Sequence, residues 1–137
     1  MNKHNLEERL IDFSVLIIEI TENMPQGFAS KHLSNQLIRS GSSVSLNYAE
    51  AQSGESRKDF IHKMKIVLKE LRETLVCLKI INRAIIKYAE PKIENAMTEC
   101  NELISIFVKS IETASKNLKT QIINHNSMFV NLKSKEN

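Results

Sequence analysis

The 137-residue chain has no tryptophan and only three glycines, two prolines and two cysteines. So few turn formers leave little room for many short elements, and a small number of long ones is expected. Cys77 and Cys100 fit neither a Cys-x-x-Cys pair nor a zinc spacing. They read as reduced, small apolar side chains in a cytoplasmic protein. The sequence contains no His-Glu-x-x-His, no phosphate-binding loop and no Gly-x-Gly-x-x-Gly, so the motifs that carry metalloprotease or nucleotide chemistry are missing. The apolar run Val15-Leu16-Ile17-Ile18 lies between Asp12 and Glu19, too short to span a membrane. Lys3 is followed by acids rather than an apolar run, so no signal peptide is expected.

What is present is apolar periodicity at alternating steps of four and three. Leu6, Leu10, Phe13, Ile17, Ile20 and Met24 predict a first helix over about 4–24, stopped by Pro25 and Gly27. Leu37, Val44, Tyr48 and Ala51 mark a second over about 29–52, with Ser30 as its expected N-cap. A third, over 56–88, can be capped by Ser56; its seam runs through Leu68, Leu71, Leu75 and Leu78 to Asn82, a polar residue suited to fixing register. The fourth starts at Pro91, which suits a first helical turn, and follows Ile93, Met97, Cys100, Ile104 and Phe107. It is expected to lose its pattern near residue 124, leaving a polar C-terminal tail. The length fits one domain over 1–137. Four such helices with short connections predict an all-α, antiparallel up-down-up-down four-helix bundle.

The second helix carries a further stripe, Arg39, Ser43, Asn47 and Glu50, on one face. Between its members lie Ser40, Gly41 and Ser42, small residues that let another helix come close. These four polar residues are expected to form a structural network at a helix contact. The stretch from Gln36 onward resembles the small bacterial four-helix-bundle proteins related to the rRNA intervening-sequence proteins. Their pattern is roughly Gln-x-x-Arg, three small residues, Ser-(Ile/Val)-x-x-Asn-x-x-Glu-(Ala/Gly), then a Phe-containing helix start. Gln36, Arg39, Ser43, Val44, Asn47 and Glu50 occupy those positions, with Ala51 and Phe60 after them. Met24-Pro25 is similar to the Phe-Pro that ends the family's first helix. The resemblance implies no enzymatic activity and a closed ring of five bundles. It also implies a kinship with the accessory protein of diversity-generating retroelements, which binds nucleic acid and a reverse transcriptase.

Charge is unevenly spread. Residues 1–26 carry two basic and five acidic side chains, whereas residues 55–86 carry eight basic and four acidic. Within the third helix Lys58, Lys65, Arg72 and Lys79 recur every seven residues, with Lys69, Arg83 and His62 on the adjoining row. That is a ridge about 30 Å long. The six bases are read as a surface for nucleic-acid phosphates. No aromatic residue interleaves them, so backbone binding of low sequence specificity is expected. Extra apolar residues outside the seams, Ile11, Val15 and Ile18 on the first helix and Ile66 and Ile80 on the third, are expected to make contacts between copies.

Enzymatic chemistry finds little support. A di-metal carboxylate bundle needs repeated Glu-x-x-His pairs, and the nearest match, Asp59-x-x-His62, occurs once. Gly41-Ser42-Ser43 lacks the strand that a nucleophile turn requires. No metal, cofactor or membrane partner is expected. The sequence therefore predicts a cytoplasmic, non-enzymatic, self-associating module for RNA, DNA or an RNA-bound protein. The alternative is a structural or protein-interaction adaptor that binds no nucleic acid.

Overall fold

The computed structural model describes residues 3–85 and 91–136. Four helices follow one another: α1 (Lys3–Glu22), α2 (Phe28–Gln52), α3 (Arg57–Ala84) and α4 (Pro91–Glu136). Among the described residues there is no strand, and no helix is long and apolar enough to cross a membrane. Each helix packs on its neighbours in the chain and α1 closes on α4, while the Cα atoms of the diagonal pairs, α1 with α3 and α2 with α4, stay more than 8 Å apart.

Pairings across each contact run in opposite sequence directions. Leu33, Ser40 and Glu50 of α2 meet Cys77, Thr74 and Lys63 of α3. Glu19 and Arg9 of α1 meet Lys92 and Glu99 of α4. Neighbouring helices are therefore antiparallel, as short connections in a bundle require.

The α1 seam is buried as its spacing predicts, with Leu10, Phe13, Ile17 and Ile20 at most 1% exposed. Leu37, Val44, Tyr48 and Ala51 of α2 are also core residues, and the Tyr48 and Phe107 rings meet edge-on with centroids 5.9 Å apart. α2 starts earlier than expected. Gly27, at φ 146°, takes the N-cap position, a backbone conformation glycine adopts without strain. Its carbonyl accepts the first helical bond, from Lys31 N at 3.0 Å. Ser30 is thus inside the helix and buried rather than capping it.

α3 departs more from its expected seam. Ser56 does cap it, accepting from Asp59 N at 3.1 Å. Val67, Thr74, Cys77 and Ile81 join Leu71, Leu75 and Leu78 in the core. Asn82, expected within the seam, is exposed. A helix wedged between α2 and α4 buries two seams side by side, and a single four-three row captures one of them. Ile85 has already left helical geometry, at φ −106° and ψ 68°. The expected continuation over 86–88 lies outside the described residues. α4 corrects the opposite way: it stays helical to Glu136, where a frayed tail was expected after residue 124.

The small residues of α2 mediate both of its contacts. Gly41 faces α1, and a Cβ placed there would stand 2.7 Å from Ile17 Cγ2. Ser14 Oγ lies 2.9 Å from Gly41 O and 2.7 Å from Ser45 Oγ. On the other side Thr74 Oγ1 and Ser40 Oγ, both on fully buried residues, are 2.8 Å apart. Thr74→Val should keep the shape but leave the Ser40 hydroxyl with only a 3.5 Å contact to Leu37 O. The expected cost is about 1–2 kcal/mol, because an abandoned buried hydroxyl carries its own desolvation penalty. Adding Ser40→Ala removes the orphan and should recover most of that loss. Urea unfolding with unchanged m-values would measure both.

Candidate nucleic-acid interface

Spacings of seven and four along α3 put six of its basic residues along one line. From Lys58 to Arg83 the line extends about 38 Å at 1.5 Å per residue. Lys58, Lys65, Lys69, Arg72, Lys79 and Arg83 are all exposed, as is His62. Among the described residues none of the six basic side chains forms an ion pair. Acids of α1 do not reach them, because α1 lies diagonally across the bundle from α3.

The acids of α3 itself are sorted to the other flank, against α2. Arg39 Nη1 lies 3.3 Å from Glu70 and Arg39 Nη2 lies 2.6 Å from Glu73. Burial pushes the Glu70 carboxyl up, with Glu73 beside it adding to the effect. The Arg39 hydrogen bond draws the Glu73 carboxyl down, with a smaller contribution from Lys69. Lys63, which points to the same flank, pairs with Glu50 at 2.6 Å. Arg39 and Lys63 engage these acids on the α2 side, and of the ridge bases Lys69 is near enough to Glu73 to help lower its carboxyl.

The polar stripe of α2 is divided in the structure. Arg39 and Glu50 bridge to α3, whereas Ser43 Oγ donates to Ser40 O at 2.8 Å within its own helix. Among the described residues Asn47 bonds only within its own helix, Nδ2 to Ser43 O at 2.9 Å, and is half-buried. Arg39 is held by two carboxylates, which distinguishes it from the unpaired bases of the ridge.

The apolar residues expected between copies do not form one surface. Ile11, Val15 and Ile18 are 40–46% exposed on α1, and Ile80 is 46% exposed on α3. The Cα atoms of these two helices stay more than 8 Å apart. Ile66 is half-buried rather than outward, because the broad buried face of α3 extends to its flank. Val76, which the heptad reading passed over, is exposed one turn before Ile80. With Leu33 and Cys77 they line an apolar groove of about 500 Å³ between α2 and α3, with Arg72 at its rim.

A second groove, of about 410 Å³, opens between the start of α3 and the far part of α4. Lys58, His62 and Lys65 meet Lys119 there around Ile61 and Leu118. Lys119 extends the basic surface onto a second helix. Its place was not visible in the sequence, since 54 positions separate it from Lys65 and only the α3–α4 packing joins them.

Other reactive residue types are ill-placed for chemistry. Cys100 is buried with Sγ 3.1 Å from Leu71 O, and burial pushes its thiol up to about 12. Cys77 is also buried, which raises its thiol. Thiols held protonated are poor nucleophiles. His32, His62 and His125 are exposed. Among the described residues no three His, Cys, Asp or Glu side chains group as metal ligands would.

Residues 3–109 match the family model described as 23S rRNA-intervening sequence protein. Among solved structures, the chain is similar to a protein with unknown function from the S23 ribosomal protein family of Bacteroides thetaiotaomicron. The two are 28% identical with a TM-score of 0.72, over 82% of this chain and 99% of that one. No curated protein matches.

Proposed function

The chain belongs to the 23S rRNA-intervening sequence protein family, and from that premise we propose that it is a non-enzymatic, self-associating module that binds RNA or DNA through the α3 ridge. The observation that carries this reading is the sorting of charge on α3. Six exposed bases stand on one side without ion pairs among the described residues, while Glu70 and Glu73 are engaged by Arg39 on the other. A line of unneutralised cations suits a phosphate backbone, and the absence of aromatics along it suits binding without base readout. The assembly in this reading is the closed ring of five implied by the family resemblance, which repeats the ridge around its circumference and multiplies a modest charge. The module works in the cytoplasm, where RNA and RNA-bound proteins are present.

Fluorescence anisotropy with labelled structured RNA and duplex DNA tests the reading. Affinity should fall linearly with salt on logarithmic axes. With four to six phosphate contacts the slope should be about −3 to −5, at roughly −0.7 to −0.9 per contact. Scrambling the nucleotide sequence should change affinity little. An absence of binding even at low salt would overturn the reading in favour of the adaptor alternative, a protein partner with an acidic and apolar surface. The groove at Val76 and Ile80, with Arg72 at its rim, is the feature that favours that second reading.

A further inference from the structure

α4 is 46 residues long, against 20 for α1 and 28 for α3. Its last buried residue is Ala114, and every residue from Lys119 to Lys135 is exposed. About 25 Å of helix therefore runs on past the packed part of the bundle. This stretch also lies beyond residue 109, where the family match ends.

The projecting part is not polar all round. The buried face of α4 at Ile111 and Ala114 continues through Leu118, Ile122, Phe129 and Leu132, at steps that keep them on one side of a helix. Ile122, Phe129 and Leu132 are 52%, 54% and 60% exposed. Asn124, Asn126, Ser127 and Asn131 are interspersed and favour helix weakly. An unsupported helix of this composition is marginal in water, so its apolar stripe calls for a surface to lie on.

The bundle offers one such surface of opposite charge. On the outer side of α1, Ile11, Val15 and Ile18 are exposed among the exposed acids Glu8, Asp12, Glu19 and Glu22. The base nearest in sequence, Arg9, is turned away onto Glu99 and Glu102 of α4. The projecting helix carries the complement: Lys119 and Lys133 flank its apolar stripe on one side, and Lys135 lies further round on the other. The lengths also agree, since Glu8 to Glu22 covers about 21 Å.

The two surfaces cannot meet within one molecule. α1 and α4 are antiparallel, with Glu19 beside Lys92 and Arg9 beside Glu99. Past Leu118 the continuous helix leaves the bundle at the end where α1 begins and moves away from Ile11 to Ile18. We propose that the projecting end of α4 from one copy docks along the outer face of α1 of a second copy. Ile122, Phe129 and Leu132 then cover Ile11, Val15 and Ile18, and lysines meet the acids at the rim. The inference rests on the self-association in the reading above and not on its nucleic-acid part.

The test uses the full chain and light scattering after size exclusion. Phe129→Asp with Leu132→Asp should lower the oligomer mass to that of smaller species while circular dichroism keeps the bundle signal. Glu8→Lys with Asp12→Lys should weaken assembly in the same way. Combining that pair with Lys133→Glu and Lys135→Glu should restore it, which general destabilisation would not do. Mixing a Val15→Cys copy with a Phe129→Cys copy under mild oxidation should give mainly the mixed disulfide, the native cysteines being buried. Phe129-to-Phe129 disulfides as the main product would show the projecting helices pairing with each other and overturn the proposal. An assembly unchanged by Phe129→Asp with Leu132→Asp would overturn it while leaving self-association intact. A wild-type monomer at all concentrations would overturn both, with nucleic-acid binding still read separately by anisotropy.

Discussion

Reversing Lys65, Arg72 and Lys79 to glutamate is expected to weaken RNA and DNA binding on the order of a hundredfold at physiological salt. Each phosphate contact releases condensed counterions, and the gain follows the logarithm of salt concentration. At about 0.15 M salt, three contacts with slopes of roughly 0.7 to 0.9 amount to a factor of about 50 to 200. The introduced carboxylates add repulsion, so this range is a lower bound on the loss. The slope of the remaining binding should fall in magnitude by roughly two to three. The bundle should persist, because all three residues are exposed and no ion pair among the described residues is broken. Reversal of Lys31 and Lys109, exposed on α2 and α4, is the control and should cost far less. A ridge variant with wild-type affinity would move the contact elsewhere, first to Lys119, Lys133 and Lys135 at the far end of α4.

The second large effect is on stability. Gly41→Val is expected to destabilise the bundle by about 2–3 kcal/mol, overpacking a contact with no slack. A Cβ at Gly41 would lie 2.7 Å from Ile17 Cγ2, 2.9 Å from Cγ1 and 3.1 Å from Cβ. Those atoms are the root of a fully buried side chain, and a β-branched residue is stiff there. The helices must therefore separate, which also pulls Ser14 from Gly41 O and Ser45. For a chain of this size the melting temperature should fall by about 10 °C. Gly41→Ala should lose less, since alanine returns up to about 1 kcal/mol of helix propensity. Ile17→Ala costs stability alone but makes room, so it should partly rescue Gly41→Val in a double-mutant cycle. A Gly41→Val protein that melted like wild type would mean that α1 and α2 are not in close contact there.

The seam of α1 was legible because one row at four-three spacing carries its burial, and Leu6 to Ile20 are buried as that row requires. The same rule applied to α3 selected Asn82 and passed over Val67, Thr74 and Ile81. α3 serves two neighbours and buries a face wider than one row, so the choice of row was underdetermined. Thr74 was missed for a further reason. A lone threonine reads as surface until Ser40 of α2 is placed against it. Of the candidate site, the six bases of α3 were readable by spacing, whereas the addition of Lys119 required the packing of α4.

The sequence by itself determined the class of fold, four amphipathic helices in antiparallel order, because apolar period and turn chemistry are local properties of the chain. It also determined where positive charge accumulates along α3. Which of those charges remain unpaired was decided only by the tertiary structure. Arg39 and Lys63 resemble the ridge bases in type, but α2 and α3 approach so that Glu70, Glu73 and Glu50 take them. Tertiary structure also decided that the acids of α1 stand diagonally opposite the ridge and that the apolar face of α4 outruns the bundle. Ion pairing and burial depend on which helices become neighbours, and that distance in space is not a function of distance along the chain.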